Sequence, residues 1–362
     1  MMEKTINTIG LSRDYIIHPG ETLEEILQDR NMSQKELAIR TGVTEKHVST
    51  VLHGQKNISP AFARKLEFAL GIESAFWMNL QSNYDREMLE FEEFNNISNE
   101  EIDILGQLKD VLKCWNRFGW IDIQTNKALQ VLDMRMLLGM SNLLDISKMS
   151  YNVAFRVTKS NNIEPYVLFA WQRMCELLTN EVKINNELDL EKLRKKIPEI
   201  KKVMFLRAEK MQEKLTEIFA ECGIAFKIVP NFKGAPVQGF IKETENGRLI
   251  LCMTLRYKYA DVFWFTLFHE IAHILNGDTK NMFIDFDSIS NEIENKADIM
   301  AADFLINRTD YLEFVEMGKY RTQSGIAQFA KEQGVRDYIV KGRLMKDTVI
   351  PWGERLKYVW VD

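Results

Sequence analysis

The chain has 362 residues, of which 46% are hydrophobic and 27% are charged, an ordinary composition for a globular protein. This length exceeds what one ordinary hydrophobic core holds, so two or three domains are expected. A formal net charge of −5 argues against a protein that coats nucleic acid with its whole surface, although one basic face stays compatible with it.

Cysteine placement and apolar runs indicate the compartment. The four cysteines stand far apart without a Cys-x-x-Cys pair, so neither a disulfide framework nor a cysteine zinc site is expected. The stretch Met1–His18 lacks the apolar segment of a signal peptide. The best apolar run, Val262–Phe268, is far shorter than the roughly 18 residues of a membrane span. We therefore expect a cytoplasmic protein with no membrane partner.

Hydrophobic periodicity predicts a mainly α-helical chain with a small β-sheet, thus an α+β fold. Short helices separated by turn residues come first, and a mostly helical region follows from about 95 to 220. One apolar face in that region contains Leu193 and Ile197, and Pro198 is expected to interrupt it. Three strands are then predicted, at Ile224–Val229, Val237–Ile241 and Leu249–Met253. The last predicted elements are helices at about Val262–Leu275 and Ser290–Ile306 and a helical tail at Ile326–Leu344.

The segment Ser33–Leu52 predicts two short helices joined by a tight turn. Ser33 is a suitable N-cap with Glu36 three residues later, and Thr44 is the expected N-cap of the second helix. Gly42 between them fits the corner of a helix-turn-helix unit, whose second helix docks in a DNA major groove. The residues expected to contact DNA are Ser33, Gln34, Thr44, Lys46, His47, Ser49, Thr50 and Lys56.

Local charge favours DNA docking by this segment. Between Ser33 and Lys65 there are six basic and two acidic residues, so this stretch carries +4 within an acidic chain. Two alternatives are a helical bundle that only mimics the turn and a module used for protein contacts. His47 is expected to point outward, whereas His18 and His53 are expected to be structural.

Three segments of the N-terminal region resemble HigA-type antitoxins, which are repressors of the Cro/C1 (XRE) helix-turn-helix class. They are His18–Leu23, Ser33–Leu52 and Ala75–Asp85. The resemblance covers roughly residues 16–90. It implies binding to a double-stranded DNA operator, usually as a homodimer, and in addition a toxin as a partner protein.

The pentapeptide His269-Glu270-Ile271-Ala272-His273 predicts a zinc site. Because the histidines lie four residues apart, both project from one face of a helix and can hold a single ion. If they were only core histidines, Glu270 would be buried without a partner, which is costly. The metal interpretation is therefore preferred.

A catalytic zinc takes three protein ligands and one water, so a third ligand is needed. No histidine follows Gly277, which leaves a carboxylate as the expected donor. Glu294 is the best candidate, because Asp298 one turn later can accept a hydrogen bond from the free ring nitrogen of a zinc-bound histidine. Glu292 is its competitor, and a solvated helix face is the alternative explanation for both carboxylates.

The expected chemistry is peptide hydrolysis. Zn²⁺ lowers the pKa of a bound water toward about 7, and Glu270 would take the proton and return it to the leaving amine. A donor to the oxyanion is also expected. Tyr257, Tyr259 and Arg256 are candidates that spacing alone does not place.

Several segments of the C-terminal part resemble the ImmA/IrrE metallopeptidases, from roughly Leu190 onward. They are Gly223–Ala225, Leu255–Tyr257, Asp261–His273, Glu294–Asp303 and the tail through Phe329 to Leu344. The resemblance implies a zinc-dependent endopeptidase of the gluzincin type with Glu294 as the third ligand. It also implies a protein substrate, since some family members cleave helix-turn-helix repressors. Two positions depart from the family pattern: Lys296 replaces a common Glu, and Asn307 stands where Pro often closes the helix.

Together these features predict a helix-turn-helix domain at 16–90, a helical connecting region at 95–220 and a zinc peptidase domain at 221–362. The preferred hypothesis is a DNA-binding regulator whose peptidase cleaves a repressor, a toxin or itself in response to a signal. The alternative is a non-proteolytic HigA-like antitoxin or repressor with the zinc domain as a sensor or scaffold. A third hypothesis, based on Gly334-Val335, makes the tail helices at 327–344 a further helix-turn-helix-like unit that contacts the substrate or DNA.

Overall fold

The computed structural model describes residues 13–149, 164–184, 186–244, 247–278 and 290–355. The predictions for Met1–His18, for 95–220 and for 221–362 therefore lie partly outside the described residues. Within them the fold is mainly helical with one three-stranded sheet, which confirms the predicted α+β class. The chain divides into two compact units, one formed by Met1–Leu105 and Ile123–Leu137 and the other by Gly106–Asp122 and Leu138–Asp362.

The first unit begins with five helices: α1 (Pro19–Asp29), α2 (Gln34–Thr41), α3 (Glu45–Leu52), α4 (Pro60–Leu70) and α5 (Ser74–Asn95). The predicted caps set the bounds of α2 and α3. The Ser33 hydroxyl accepts from Glu36 N at 3.1 Å, and the Thr44 hydroxyl accepts from His47 N at 3.1 Å. Gly42 ends α2 with φ +61°, a conformation that glycine adopts without strain.

Apolar side chains from all five helices form the core of this unit, and Val43 packs at its edge. They include Leu23, Leu37, Ala38, Val48, Leu52, Leu66 and Trp77. The start of α1 contacts α3 closely at Gly20, where a Cβ would lie 2.1 Å from the Val51 carbonyl oxygen. His18 caps α1 by accepting from Gly20 N at 2.9 Å.

A buried ion pair joins two further helices of the first unit, α6 (Asn99–Gln107) and α8 (Lys127–Leu138). Glu101 is 1% exposed and accepts two hydrogen bonds from the Arg135 guanidinium, at 3.0 and 2.5 Å. This bidentate geometry satisfies a carboxylate that would otherwise be costly to bury.

The second unit holds the sheet, with strands β1 (Ile224–Val229), β2 (Gly239–Glu243) and β3 (Leu249–Thr254). The strand order is β1-β3-β2, with β1 parallel and β2 antiparallel to β3. Every residue of β3 is buried, as expected for a central strand. The predicted second strand was placed two residues too early, because Val237 instead forms a tight turn by donating from its N–H to the Ala235 carbonyl.

Helices complete the second unit. They are α7 (Lys109–Arg117), α9 (Ile146–Met149), α10 (Pro165–Asn180), α11 (Leu190–Val203), α12 (Ala208–Glu221), α13 (Ala260–Asn276), α14 (Ser290–Leu305), α15 (Arg308–Glu316), α16 (Gln323–Gln333) and α17 (Asp337–Lys346). Of these, α10, α12 and α13 pack against the sheet. The predicted single tail is thus two helices separated at Gly334, which has φ +65°. Among the described residues, no helix combines the length and the apolarity that crossing a bilayer requires.

The prediction that Pro198 interrupts a helix is wrong, because α11 continues through it to Val203. A proline inside a helix costs about 3 kcal/mol through a lost hydrogen bond and a steric clash. The five residues of α11 that follow Pro198 offset this cost by burying Ile200 and Val203 in the core. In addition, Lys201 Nζ donates to the carbonyls that end α14 and α16, at 3.0 and 2.7 Å.

Candidate metal centre and nucleic-acid interface

Helix α13 carries both predicted histidine ligands. Its sequence is apolar on nearly all sides, so it lies in the core rather than at the surface. His269 is 8% exposed, and Glu270 and His273 are each 1% exposed. Three polar side chains are therefore buried together in one turn of an apolar helix, which requires that they satisfy one another or bind an ion.

A third side chain, from α14, meets the two histidines. One ligand atom from each of His269, His273 and Glu294 lies within 4.8 Å of the others. Glu294 Oε2 is 3.2 Å from His269 Nε2, and its Oε1 is 3.8 Å from His273 Nε2. The two histidine Nε2 atoms are themselves 3.3 Å apart.

Small residues on α14 bring its carboxylates this close. Ala297 and Ala301 are both fully buried, and α14 packs along α13. Glu294 and Asp298 alternate with these alanines at three- and four-residue spacing, so all four lie on one helix face. Short side chains allow the two helix axes to approach closely, and the longer carboxylates then reach the histidines.

The spacing of the donors fits a four-coordinate zinc ion. Zinc binds imidazole nitrogen at about 2.0–2.1 Å, so two nitrogens on a tetrahedral ion lie about 3.3–3.4 Å apart. The observed separation of the two Nε2 atoms is 3.3 Å. Two imidazoles and one carboxylate make a three-ligand set that leaves a position for water. Imidazole also suits iron, copper and nickel, so the donor set alone does not identify the metal.

Each histidine also has a carboxylate at its other ring nitrogen. Asp298 Oδ1 lies 2.6 Å from His269 Nδ1, and Asp278 Oδ2 lies 3.0 Å from His273 Nδ1. The sequence analysis named Asp298 but missed Asp278. The signal for it is the pair Gly277-Asp278, since a left-handed glycine directly after the helix turns the next side chain back toward the last turn.

Glu270 lies against Gly239 of β2, and the sequence analysis missed this contact. A Cβ on Gly239 would lie 2.5 Å from Glu270 Oε1 and 2.7 Å from its Cδ. The absence of a side chain at Gly239 therefore makes room for the Glu270 carboxylate beside the histidines. A glycine inside the predicted strand Val237–Ile241 is the only sequence signal for this contact.

The alternative metal ligands lie apart from the cluster. Glu292 and Lys296 are exposed, and neither belongs to the group of donor atoms found around His269 in the described part of the chain. The departure at Asn307 has a local reason: its side chain caps α15 by accepting from Thr309 N and Asp310 N, at 2.9 and 3.2 Å. Neither departure from the family pattern thus alters the geometry of the cluster.

The three suggested oxyanion donors have described contacts elsewhere. Arg256 donates to the Pro236 carbonyl at 2.7 Å, and its guanidinium lies 5.0 Å from the Tyr257 ring centroid. The Tyr259 ring lies under the Arg355 guanidinium, at 4.3 Å. An oxyanion role for any of them stays a prediction.

The predicted DNA-contacting residues lie at the amino end of α2, along α3 and just after α3. Four of them are exposed: Ser33, Thr44, Lys46 and Lys56. Four others are half-buried: Gln34, His47, Ser49 and Thr50. The exposed lysines leave two charges free to meet phosphate, whereas the half-buried side chains present only part of their surface.

His47 differs from the expectation that it points outward. Its ring packs edge-on against Phe62 at 4.8 Å between centroids, and its Nδ1 lies 3.1 Å from Lys56 Nζ. Burial lowers the pKa of His47, and the positive charges of Lys56 and Lys65 lower it further. A neutral ring at this position accepts a hydrogen bond from Lys56 and orients that lysine.

Helices α16 and α17 repeat the turn of α2 and α3 but do not expose the corresponding face. Gly334 is left-handed with φ +65°, and Val335 is buried, as in a helix-turn-helix corner. On α17, however, Ile339 is buried, and a Cβ on Gly342 would lie 2.6 Å from Asp261 Oδ2 of α13. The face of α17 that corresponds to the DNA-facing side of α3 is covered by α13, so DNA contact by residues 327–344 is not supported.

Two family models match separate parts of the chain. Residues 23–77 match the helix-turn-helix family. Residues 258–344 match a peptidase family described as the IrrE N-terminal-like domain. The first range contains α2 and α3, and the second contains α13 and α14.

Known relatives match the N-terminal fifth of the chain. The virulence-associated protein I of Dichelobacter nodosus is 33% identical over 75 residues, which are 20% of this chain and 69% of that protein. The uncharacterized HTH-type transcriptional regulator YddM of Escherichia coli (strain K12) is 31% identical over 64 residues, 18% of this chain and 68% of that protein. A solved addiction module antidote protein of the HigA family from Coxiella burnetii is 37% identical, with a TM-score of 0.19, over 20% of this chain and 79% of its own.

Proposed function

Because this chain belongs to the XRE-type helix-turn-helix regulators and continues into an IrrE-like peptidase domain, we propose that it is a DNA-binding regulator with a zinc-dependent endopeptidase. The observation that carries the peptidase proposal is the convergence of His269, His273 and Glu294 beside the buried Glu270. A purely structural zinc site fills all four positions with protein ligands and needs no general base. The substrate is a repressor, a toxin or the chain itself, cut in response to a signal.

His269, His273 and Glu294 would hold the metal ion. A bound Zn²⁺ ion supplies a water of lowered pKa and polarises a peptide carbonyl. Glu270 would receive the proton of that water on its carboxylate and deliver it to the nitrogen of the leaving amine. Burial of Glu270 at 1% exposure keeps bulk water away from this carboxylate.

The N-terminal module would dock α3 in the major groove of a double-stranded operator. Lys46 in the first turn of α3 and Lys56 four residues after its end are exposed and fit phosphate contacts, and Thr50 lies one turn after Lys46 on the same helix face. A homodimer would present two such helices to a two-fold symmetric operator. Three features support the proposal: the family match, the capped helix pair and the local positive charge.

The metal site is tested by zinc content. We expect about one equivalent of zinc per chain purified without chelator, and a loss of it in His269→Ala and Glu294→Gln. Glu292→Gln is the matched control, since its side chain is on the same helix but outside the cluster. Equal zinc in all four proteins would refute the site, and iron or nickel in place of zinc would correct the metal.

Catalysis is tested by comparing the full chain with Glu270→Gln, which keeps the shape of the side chain and removes its basicity. Both proteins are incubated with the products of the flanking genes and alone, and new termini are mapped by mass spectrometry. We expect cleavage only by the protein with Glu270. Zinc binding with no cleavage in any mixture would favour the alternative, a non-proteolytic antitoxin or repressor with a metal-dependent sensor or scaffold.

DNA binding is tested on the promoter segment upstream of the chain's own coding region. We expect Lys46→Ala/Thr50→Ala to weaken the shift of this DNA, while Lys331→Ala on α16, which is also exposed, leaves it unchanged. Light scattering gives the molecular mass of the free and the DNA-bound protein, and this mass shows whether the protein is a dimer. A double variant that binds as well as the unaltered chain would refute α3 as the recognition helix.

A further inference from the structure

Asp278, the second residue after α13, contacts His273 twice. Gly277 ends the helix with φ +75°, which reverses the chain at that point. The backbone N–H of Asp278 then donates to the His273 carbonyl, with an N–O distance of 3.0 Å. Its carboxylate Oδ2 lies 3.0 Å from Nδ1 of the same histidine. One residue thus binds both the main chain and the side chain of His273.

The surroundings of this contact make it electrostatically strong. His273 is 1% exposed, and the Asp278 side chain is 15% exposed, so water screens the pair only weakly. An Nδ1–H that donates to the carboxylate leaves the lone pair of Nε2 free and directed at the other donors of the cluster. A carboxylate on the outer nitrogen of an imidazole also increases the basicity of the inner nitrogen.

We propose that Asp278 is a positioning residue for the metal ligand His273, the counterpart of the role predicted for Asp298 at His269. This inference rests on the proposed zinc site. The hydrogen bond to Asp278 holds the His273 ring as the Nδ1–H tautomer, with Nε2 directed toward the other donors of the cluster. Because Asp278 is fixed by its own backbone hydrogen bond and by the left-handed glycine, the His273 ring is oriented before the metal arrives.

Zinc affinity, measured by competition with a chromophoric chelator, tests this role in the full chain. We expect Asp278→Ala to weaken zinc binding by about 10- to 100-fold, in line with the loss of other outer partners of zinc ligands. Asp278→Asn, whose amide oxygen can still accept from Nδ1–H, should fall between Asp278→Ala and the unaltered chain. Asp303→Asn, an exposed carboxylate on α14, is the matched control and should leave the affinity unchanged.

A second readout separates positioning from simple stability. We expect the metal-free Asp278→Asn protein to melt near the unaltered chain, while the ¹⁵N signals of His273 show a mixture of tautomers, because the Asn amide can either accept from Nδ1–H or donate to Nδ1. Zinc affinity of Asp278→Ala within about threefold of the unaltered chain would overturn the inference, since that difference is below 1 kcal/mol. If the unaltered chain binds no zinc, or His273→Ala binds as tightly, the proposed metal site itself has failed.

Discussion

Replacing Gly239 by alanine should separate catalysis from metal binding. The new Cβ would lie 2.5 Å from Glu270 Oε1, whereas an ordinary contact begins near 3.4 Å, so the carboxylate must move by about 0.9 Å. A misplacement of about 1 Å in a catalytic group costs about 100-fold in rate. The three atoms nearest to the new methyl group all belong to Glu270 and none to a proposed ligand, so we expect zinc content to stay unchanged.

The assay combines three measurements on Gly239→Ala: bound zinc, the rate of cleavage of the substrate found with the unaltered chain, and thermal melting. Gly106→Ala is the matched control, because a Cβ there meets open space inside α6 and alanine favours the helix. Overpacking at Gly239 should cost about 1–3 kcal/mol in stability. A variant that keeps both zinc and a cleavage rate within about threefold would refute the reasoning that Gly239 fixes the general base.

Four further predictions follow from features of the fold. Gly20→Ala should destabilise the first unit by about 1–3 kcal/mol in urea denaturation and weaken DNA binding, because its Cβ would lie 2.1 Å from the Val51 carbonyl oxygen. Arg135→Met should cost about 3–5 kcal/mol by leaving Glu101 buried without its cation, and Glu101→Gln in the same protein should restore part of the loss. Burial lowers the pKa of His18, so the unfolded chain binds a proton that the folded chain excludes. The free energy of unfolding should therefore fall as the pH drops below about 6.5, and less so in His18→Asn; equal slopes would contradict this. Removing zinc with a chelator should lower the melting temperature, since free zinc at 100 times its Kd stabilises by about 2.7 kcal/mol; no shift would argue against a site in the folded state.

Patterns that depend on neighbouring residues were well predicted from the sequence. The caps Ser33 and Thr44, the left-handed Gly42 and the bounds of β1 follow from local chemistry and from alternation along the chain. The grouping of Glu294 with Asp298 also came from spacing on one helix face. Their assignment as ligand and partner is still a prediction, although the structure brings both side chains to the histidines.

Features that depend on distant packing were not predicted. The continuation of α11 through Pro198 depends on Lys201 reaching the ends of two helices more than 100 residues away. The position of His47 depends on Phe62 of α4, which no local pattern connects with α3. The contact between Gly239 and Glu270 depends on the sheet, which places β2 beside α13. In each case the two segments lie apart in the chain, and no pattern in either sequence indicates that they are in contact.

The buried residues Ala297 and Ala301 of α14 predict which relatives of this chain can form the proposed metal site. Metal–ligand distances tolerate about 0.2 Å, whereas the separation of two packed helices varies over about 8–10 Å with the size of the side chains between them. A leucine or phenylalanine in place of Ala297 or Ala301 would thus move both α14 carboxylates out of reach. If the proposed function is correct, homologues that keep the His-Glu-x-x-His pattern but have bulky residues at these two positions should lack both metal and hydrolysis, while retaining the helix-turn-helix domain.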